Sequence, residues 1–493
     1  MCKSNLQDLK QYVGKYDIVP VYKEIFSDVK TPISVLKALK NVSSHTYLLE
    51  SAENNETWGR YSFLGYNPTL EISCKNHEMT IKGATTRKFK TANPNEEIRK
   101  ILNQYKSPKL DFLPTFTGGL VGYFAYEYIR YSEPKLNFTD KNTISFNDVD
   151  LMLFDKVIAF DHYKNKIILI VNIKTDDLEK NYNKAQRELK ELADLVACGK
   201  EAVIEQGKLL SEFKAEFTAQ EYSEVVKKTQ HYIKEGDIFQ AVPSNRRSAD
   251  FKGSLLNAYR VLRTMNPSPY MFYLSSKDIE ITGASPETLI KLQNGMLKTF
   301  PIAGTEPRGK TSLEDKALEE KLLHDEKELA EHNMLVDLGR NDLGKISKFG
   351  SVKLESFHKI ERFSHVMHIT STVVGKIRQE FDALDAISAT LPAGTLSGAP
   401  KLRAIEILHE LEKSPRGIYG GAVGYLDFSG NMDVCIGIRM AVLKQGKVFV
   451  RSGGGVVKDS IPEKENQECI NKAKSMIEAI TKAQEVDDYD FVD

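Results

Sequence analysis

The sequence predicts an α+β protein with a smaller, β-rich N-terminal part and a larger C-terminal part. Up to about residue 175, short segments of strand length follow one another with few helical patterns between them. From residue 217 onward, strands, helices and glycine-rich turns alternate. The chain has 493 residues, more than one ordinary domain contains. We therefore predict an N-terminal domain over 1–199, a linker over 200–216 and a C-terminal domain over 217–493.

The composition is that of an ordinary globular protein. Hydrophobic residues make up 41% and charged residues 28% of the chain, and Lys+Arg and Asp+Glu both number 68. The zero net charge argues against nucleic acid or an anionic membrane as the main partner. The first ten residues lack the apolar segment of a signal peptide. Scattered cysteines without a Cys-x-x-Cys pair are typical of free thiols, so we expect a cytoplasmic protein.

In the N-terminal part, short apolar segments predict strands at 47–51, 61–66, 70–74 and 79–81. Strands over 151–160 and 166–173 are predicted to form a hairpin. A charged amphipathic helix follows over 177–197, and the polar segment 200–216 is interpreted as the linker.

The C-terminal part begins with a capping box, Thr218 to Glu221, and a helix that ends at Gly236. Helices are also predicted over 401–412 and 465–485. The sequence Gly-Gly-x-Val-Gly-Tyr occurs at 118–123 and again at 420–425, before an apolar strand each time. This echo points to two related sheets but is too short to prove a duplication.

An acidic helical segment over 326–344 is the most informative feature. Glu328 and Glu331 are three residues apart and so share one face of the helix, and a polar loop is predicted over 339–342. Two adjacent carboxylates repel each other unless a cation or a proton lies between them, and Mg²⁺ suits such a pair. The alternative is a solvated acidic face.

Other residues are candidates for binding or catalysis, and each also has an ordinary structural interpretation. Glycine-rich segments at 301–305, 394–400 and 452–455 can direct backbone N–H groups towards an anion, or form tight turns. His368 is a shielded base or a core residue. Arg439, on a predicted strand over 434–443, binds a carboxylate or faces solvent. Glu468 suits the start of its helix electrostatically, and could also complete a cation site with Glu328 and Glu331.

A set of motifs in a fixed order resembles the chorismate-utilising enzymes, and most closely the branch that forms anthranilate. The motifs are LLES (48–51), GDIFQAVPS (236–244), NPSPYMFYL (266–274), GASPE (283–287), PIAGT (301–305), AEHNMLVDLGRNDLG (330–344), SHVMH (364–368), GTLSGAPK (394–401) and YGGAVGY (419–425). By this resemblance, we expect the C-terminal part to be a large chorismate-binding core of sheets packed between helices.

The resemblance also implies a reaction and the residues that perform it. Chorismate and ammonia would give anthranilate and pyruvate, as in tryptophan biosynthesis. The implied catalytic residues are Glu287, as the acid for the departing 4-hydroxyl, and His368 with Thr395, for the proton removal that accompanies pyruvate loss. The implied substrate-binding residues are Gly304, Thr305, Tyr419, Arg439, Gly453, Gly454 and Gly455. The implied Mg²⁺ ligands are Glu331 and Glu468, with Glu328 close by.

Two positions separate the related activities. Members that make aminodeoxychorismate carry a nucleophilic Lys where this chain has Ala303, whose methyl group cannot attack. Members that make isochorismate or salicylate carry a Lys base where this chain has Gln240, and an amide is not basic near neutral pH. The alternatives are an aminodeoxychorismate synthase, opposed by Ala303, and a non-catalytic tryptophan-sensing subunit, opposed by the intact candidate residues.

Regulation and partners follow from the same resemblance. LLES and NPSPYM resemble a tryptophan feedback site, which would be lined by Ser51, Pro269, Tyr270 and Met271; ordinary core packing is the alternative. The sequence has no Gly-flanked cysteine of the glutaminase type, so glutamine-derived ammonia would come from a glutamine amidotransferase subunit.

The chain departs from the family pattern at Glu306, where the family usually has a basic residue directly after PIAGT. We expect it to face solvent or to pair with Arg308 or Lys310.

Overall fold

The computed structural model describes residues 4–28, 30–51, 59–136, 138, 145–362 and 366–486. Cys2, together with Ser364 and His365 of the SHVMH motif, lies outside the described residues. The described residues form helices and strands in similar proportion, so the predicted α+β class is confirmed.

The α-helices differ widely in length, from four residues in the shortest to 21 in the longest. They are α1 (Leu6–Leu9), α2 (Pro32–Val42), α3 (Pro94–Leu102), α4 (Leu178–Cys198), α5 (Ala219–Lys234), α6 (Leu256–Met265), α7 (Ser312–Leu323), α8 (Glu326–Gly344), α9 (Ala383–Thr390), α10 (Lys401–Leu411) and α11 (Pro462–Lys482). Short 3₁₀ helices span Lys10–Tyr12, Tyr126–Tyr131 and Gly394–Leu396.

The strands occur throughout the chain. They are β1 (Ile18–Phe26), β2 (Thr46–Glu50), β3 (Tyr61–Tyr66), β4 (Leu70–Lys75), β5 (Glu78–Lys82), β6 (Thr86–Lys90), β7 (Gly119–Phe124), β8 (Val149–Phe154), β9 (Lys156–Asp161), β10 (Lys166–Lys174), β11 (Lys208–Leu209), β12 (Lys214–Ala215), β13 (Gln240–Ala241), β14 (Ser244–Lys252), β15 (Tyr270–Ser275), β16 (Glu280–Ser285), β17 (Thr288–Gln293), β18 (Met296–Thr299), β19 (Ile302–Pro307), β20 (Lys353–Arg362), β21 (Val366–Lys376), β22 (Gly398–Ala399), β23 (Ala422–Asp427), β24 (Met432–Ile436), β25 (Met440–Lys444) and β26 (Lys447–Gly453).

Two large antiparallel sheets organise the molecule. The first sheet has the order β1-β10-β9-β3-β2-β15-β16-β25-β26-β14-β11, with β12 also paired to β14. The second sheet has the order β19-β21-β18-β17-β24-β23-β7-β8-β4-β5-β6, with β20 also paired to β21. The short strands β13 and β22 pair with each other.

The sheets pack face to face and helices cover their outer faces. Residues of both sheets, such as Phe63 of β3 and Val121 of β7, share one buried cluster between the sheets. A second cluster joins the first sheet to α2, α4, α6 and α11, and a third joins the second sheet to α3, α8 and α9. The alternation of strand side chains explains these layers, since Tyr47 faces the inner cluster and Leu48 the outer one.

Both sheets contain strands from both sides of the predicted linker. Within 200–216, the strands β11 and β12 pair with β14, so part of this segment belongs to the first sheet. The division into domains stays a prediction, and the two parts share a common framework.

The structure tests two predictions made from the sequence, the hairpin that begins with 151–160 and the repeated glycine motif. The prediction of one strand over 151–160 is wrong, because the chain passes at Asp155 from β8 in the second sheet to β9 in the first. The predicted hairpin with the strand at 166–173 is confirmed, since β9 pairs with β10 in antiparallel fashion. The echoed glycine motifs form β7 and β23, which pair with Gly122 opposite Gly424. A Cβ at Gly122 would lie 2.0 Å from Asp150 O, and one at Gly424 would lie 2.2 Å from Asp433 O. Glycine is therefore needed at both positions.

The predicted polar loop at 339–342 is also wrong, because α8 continues to Gly344. Asp325 caps the N-terminus of α8 through bonds from Lys327 N and Glu328 N. Val336 and Leu343 are buried against the second sheet on either side of the predicted break, and this packing holds the helix together.

The other predicted helices are confirmed within a few residues. The capping box at Thr218 is present at the start of α5. The four cysteines among the described residues are free thiols. In the part of the chain that the structure describes, every helix is too short or too polar to cross a membrane.

Candidate active site

The candidate catalytic residues lie where the chain passes from one sheet to the other. Glu287 stands between β16 of the first sheet and β17 of the second, and Arg439 stands between β24 of the second sheet and β25 of the first. The two crossings are side by side, since Ile436 N donates to Glu287 O at 2.9 Å and Ala284 N donates to Arg439 O at 3.0 Å. Backbone hydrogen bonds between the two crossings thus fix the positions of Glu287 and Arg439 relative to each other.

Glu287 has the environment of a proton donor. Its Oε1 accepts a hydrogen bond from Thr395 Oγ1 at 2.9 Å. Burial raises the pKa of Glu287 to about 7, although the Thr395 hydrogen bond and the charge of Lys472 act in the opposite direction. A carboxyl group with this pKa is partly protonated at neutral pH, as a general acid must be.

His368, on β21, lies beside Gly304 and Thr305 of β19. Its Nδ1 is 2.9 Å from Gly304 O and 3.0 Å from Thr305 Oγ1. Because a carbonyl oxygen only accepts, we assign the hydrogen to Nδ1 and the lone pair to Nε2. Burial lowers the pKa of His368, and the charge of Arg439 adds to this effect. A neutral ring at pH 7 can accept a proton.

Gly304 occupies a bulge in β19. The register between β19 and β21 shifts between Ala303 and Thr305, and Gly304 has φ = +69°. A Cβ at this position would lie 3.4 Å from Glu328 Oε2. The bulge therefore needs glycine, and it brings the backbone of the PIAGT motif close to the first carboxylate of α8.

Helices α8 and α11 carry the same acidic spacing. Glu328 and Glu331 lie three residues apart on α8, as Glu465 and Glu468 do on α11. Burial and then the charge of Glu331 raise the pKa of Glu328, and burial and then the charge of Glu468 raise the pKa of Glu465. The charge of Lys327 on α8 also acts on Glu465, so the two helices face each other.

Glu465 was missed from the sequence, although its spacing from Glu468 repeats that of the pair on α8. Among the described residues, Glu465 Oε2 is a buried oxygen without a hydrogen-bond partner. A Cβ at Gly454 would lie 3.0 Å from this atom. Glu468 instead forms an ion pair with Lys472. A buried, unpartnered carboxylate oxygen beside further carboxylates has the chemistry of a hard-cation ligand.

The predicted metal ligands are not assembled into one group in this conformation. Within the described ranges, no three His, Cys, Asp or Glu side chains lie close enough together to hold a metal ion. The two acidic pairs therefore fit a cation by their ligand type and their facing positions, and a metal site would require α8 and α11 to approach.

Arg439 reaches the site from a turn, so the prediction of a continuous strand over 434–443 is wrong. Its φ of +51° lies in the left-handed region, where the chain crosses between the sheets. Arg439 Nη1 donates to Lys472 O at 3.0 Å. Lys472 is a second residue that the sequence did not suggest, because only the packing of α11 brings it near Arg439 and Glu287.

The glycines at the end of β26 pack closely against the segment 240–243. A Cβ at Gly453 would lie 2.4 Å from Pro243 O, and one at Gly455 would lie 2.5 Å from Gln240 Nε2. The Gln240 side chain, which is 7% exposed, therefore lies against the glycine segment. Glycine is required there for packing, whatever else its N–H groups bind.

Tyr419 is a buried phenol at the edge of this region. It is 6% exposed, and its ring lies 5.8 Å from the Arg416 guanidinium. Burial raises the pKa of Tyr419, so the hydroxyl keeps its proton and can donate a hydrogen bond. A buried ion pair with Glu412, at 2.6 Å, fixes Arg416.

The two segments predicted to bind tryptophan are adjacent in the first sheet. Met271 of β15 pairs with Glu50 of β2, which places Ser51 next to the start of β15. Met271 is 1% exposed and belongs to the core, while Tyr270 Oη donates to Asp433 Oδ1 at 2.8 Å. The structure thus brings the segments together and also shows the core role of Met271.

Glu306 does not pair with the residues expected from the sequence. Its carboxylate accepts from Lys321 Nζ of α7 at 2.5 Å, because β19 runs alongside that helix. Arg308 pairs with Asp315 at 2.6 Å. The charge of Glu306 is therefore balanced by α7.

The chain matches the family model described as chorismate binding enzyme over residues 44–478. It belongs to this family, and the resemblance seen in the motifs is confirmed.

Several relatives that share the same name are similar to this chain along almost its whole length. "Anthranilate synthase component 1" from Aquifex aeolicus (strain VF5) is 44% identical over 492 residues, which is 98% of this chain and 98% of the relative. The protein of the same name from Acetivibrio thermocellus is 44% identical over 490 residues, 98% of this chain and 99% of that protein. A crystal structure of anthranilate synthase component I from Streptococcus pneumoniae TIGR4 is 37% identical and has a TM-score of 0.75, covering 92% of this chain and 98% of that chain.

Proposed function

We propose that this protein forms anthranilate and pyruvate from chorismate and ammonia. The observation that carries the proposal is Glu287, a buried carboxyl group with a pKa of about 7, held by Thr395 at the crossing of the two sheets in a chorismate binding enzyme. The full-length similarity to proteins named anthranilate synthase component 1 supports the product.

The substrate is a dianion, and the site offers donors for it. The Arg439 guanidinium, the Tyr419 hydroxyl and the backbone N–H groups of Gly453–Gly455 are proposed to bind its carboxylates, with Gly304 and Thr305 beside its ring. Donors fixed on strand ends need little rearrangement when the substrate binds, so they favour the transition state.

Two residues are proposed to move protons. Glu287 gives its proton to the departing 4-hydroxyl oxygen, because hydroxide is a poor leaving group and water is a good one. His368 then accepts a proton at Nε2 as pyruvate leaves and the ring becomes aromatic. Thr395 holds the Glu287 carboxyl, and Gly304 O and Thr305 hold the imidazole.

A divalent cation such as Mg²⁺ fits the acidic pairs. Glu331 and Glu468 are the proposed ligands, with Glu328 and Glu465 next to them. When bound, the cation would neutralise the ring carboxylate of the substrate. Without it, four carboxylates and a dianion would repel each other.

Ala303 and Gln240 favour this reaction over the related ones. The Ala303 methyl group cannot act as a nucleophile, which opposes aminodeoxychorismate formation. The Gln240 amide lies against Gly455, where a lysine base would be needed to activate water. Ammonia is the nucleophile that remains.

The name "component 1" of the relatives supports a partner subunit, which we propose to be a glutamine amidotransferase. We further propose feedback inhibition by tryptophan at Ser51, Pro269, Tyr270 and Met271, and a cytoplasmic location in keeping with the free thiols. The N-terminal domain over 1–199 would contribute part of the tryptophan site.

The test is a fluorescence assay of the purified chain with chorismate, Mg²⁺ and ammonium at alkaline pH. Anthranilate that disappears with EDTA and decreases with tryptophan would support the reaction, the cation and the inhibitor site together. Consumption of chorismate without anthranilate would refute the assignment of the product. A chain that binds tryptophan but consumes no chorismate, even with a glutaminase subunit added, would be a sensor instead.

A further inference from the structure

A buried arginine, Arg416, holds the backbone of two segments that border the candidate active site. Its Nη1 donates to Leu396 O at 2.5 Å, and its Nη2 donates to Val242 O at 2.6 Å. Leu396 follows Thr395, the residue that holds the Glu287 carboxyl, in the same 3₁₀ helix. One guanidinium therefore ties the loop of Thr395 to the segment that follows β13.

Two carboxylates fix Arg416 in turn. Glu412, at the end of α10, accepts from Arg416 Nε at 2.9 Å and from Nη2 at 2.6 Å, which makes a bidentate pair. Glu127, on the second 3₁₀ helix, accepts from Arg416 N at 2.7 Å and from Gly417 N at 3.0 Å. The Arg416 side chain is 2% exposed and lies 4.5 Å from the centre of the Tyr126 ring. Its backbone and side chain are therefore fixed independently of the loop that it holds.

These contacts need the guanidinium of arginine. Its three nitrogens donate to one carboxylate and two carbonyl oxygens. A lysine ammonium is a compact charge on a different stem and cannot reach all these acceptors at once. Ser244 N and Oγ also donate to Glu412. Arg416→Lys should therefore keep the buried ion pair and the segment 242–244 in place and lose the bond to Leu396 O.

We infer that Arg416 is a positioning residue for the proposed reaction and acts through Thr395. The inference rests on the proposed function, in which Glu287 is the acid. By holding Leu396 O, Arg416 keeps the Thr395 hydroxyl 2.9 Å from Glu287 Oε1. That hydrogen bond aims the carboxyl group and favours its charged form. Its loss would leave Glu287 less well placed and harder to ionise.

The pH profile separates this role from a purely structural one. Among the described residues, the groups that lower the pKa of Glu287 against the effect of burial are the Thr395 hydroxyl and Lys472 of α11. Arg416 is not one of them, and Arg416→Lys keeps the charge. A change in the pKa of Glu287 in this variant must therefore pass through Thr395.

The experiment measures single-turnover rates at saturating chorismate and NH₃ between pH 6 and 9. In the wild type, the rate should fall with a midpoint near pH 7. In Arg416→Lys, the rate below the midpoint should fall about tenfold and the midpoint should rise by about one pH unit. The KM for chorismate in steady-state assays should stay within about threefold, because the segment 242–244 is kept. Thr395→Val should give the same shift, and the double variant should give no further shift.

Arg451→Lys is the matched control, since it makes the same change in the same buried cluster. Arg451 is 7% exposed and shares Glu412 with Arg416. Its other hydrogen bonds in the described part of the chain go to Ser244, Ser414 and Glu216. Arg451→Lys should lower the stability in urea about as much as Arg416→Lys does and leave the midpoint near pH 7.

A folded Arg416→Lys with the wild-type midpoint would overturn the inference, as would an equal shift in Arg451→Lys. If Arg416→Lys does not fold, Glu412→Gln decides in the same way, with a smaller shift expected because the amide keeps one oxygen for Arg416. A wild type that makes no anthranilate would refute the proposed function instead, so the two failures are distinguishable.

Discussion

At the residue scale, Glu287 links activity to pH. Replacement by Gln keeps the shape and removes the proton, so anthranilate formation should fall about 10²-fold or more. In the wild type, the catalytic step should slow as pH rises through about 7, because the acid form is lost. Single-turnover rates at saturating NH₃ between pH 6 and 8.5 would check this. A rate that does not depend on pH over this range would exclude Glu287 as the acid.

The same substitution should stabilise the protein at high pH. The pKa of Glu287 in the folded chain, about 7, lies above the ordinary 4.5. Its contribution to stability is therefore full below pH 4.5 and is lost as pH rises through 7, where a buried charge costs up to about 3 kcal/mol. Unfolding of Glu287→Gln and wild type at pH 5 and pH 8 should show an advantage for the variant at pH 8 only.

His368 has a different expected defect. His368→Gln removes the base but leaves Glu287 and Thr395 in place, so chorismate should still be consumed while anthranilate formation falls about 10²-fold. An aminated intermediate should accumulate and be visible by chromatography. His162→Gln is the control, since His162 is exposed in the turn between β9 and β10, where its Nε2 lies 2.7 Å from Ser62 Oγ. Equal loss of chorismate consumption and anthranilate formation would argue against a late role for His368.

At the element scale, an ion pair holds the loop that carries Thr395. Lys401 Nζ of α10 donates to Asp342 Oδ2 of α8 at 2.7 Å and to Thr390 O at 3.0 Å, so both ends of the loop are attached to α8. Both charged side chains are nearly buried. Lys401→Met should therefore lower the free energy of unfolding by about 3 kcal/mol and lower kcat through Thr395.

Lys413→Met is the control, because Lys413 pairs with Glu221 at the surface and should contribute less than about 1 kcal/mol. In the double variant Asp342→Asn/Lys401→Met, the loss should be smaller than the sum of the single losses. Additive losses in urea unfolding would show that the pair does not act as a unit.

Elements with a clear local signal were predictable from the sequence. The capping box of α5 and the amphipathic pattern of α4 predicted the ends of both helices to within one or two residues. The breaks at Asp155 and at 437–439 were not predictable, because both sides of each break have strand character. Only the packing of two sheets decides that the chain crosses there. Lys472 and Glu465 were missed for a related reason, since the docking of α11 determines what they face.

At the scale of the whole molecule, the acidic pairs belong to helices that cover different sheets. Helix α8 packs on the second sheet and α11 on the first. A cation between them would join the two halves of the sandwich. Mg²⁺ should therefore raise the melting temperature of the wild type, and Glu331→Gln should abolish both this shift and Mg²⁺-dependent turnover while the fold persists. Wild-type activity in Glu331→Gln would remove this residue from the metal site.

The first sheet also connects the proposed tryptophan site to the active site. Strand β15, next to Ser51, pairs with β16, which ends two residues before Glu287, and β16 pairs with β25, which follows Arg439. Tryptophan bound at β2 and β15 can therefore favour a position of these strands that binds chorismate poorly. Such coupling needs two arrangements of the strand ends and no contact between the ligands.

Ser51→Val tests this connection, because it removes the hydroxyl group and adds bulk at the proposed tryptophan site. Inhibition by tryptophan should weaken at least tenfold, with kcat and the KM for chorismate unchanged in the absence of tryptophan. Ser248→Val, on β14 at the far end of the same sheet, should leave inhibition unchanged. By reciprocity, chorismate should weaken tryptophan binding in the wild type, as calorimetry would show. Full inhibition of Ser51→Val would place the tryptophan site elsewhere.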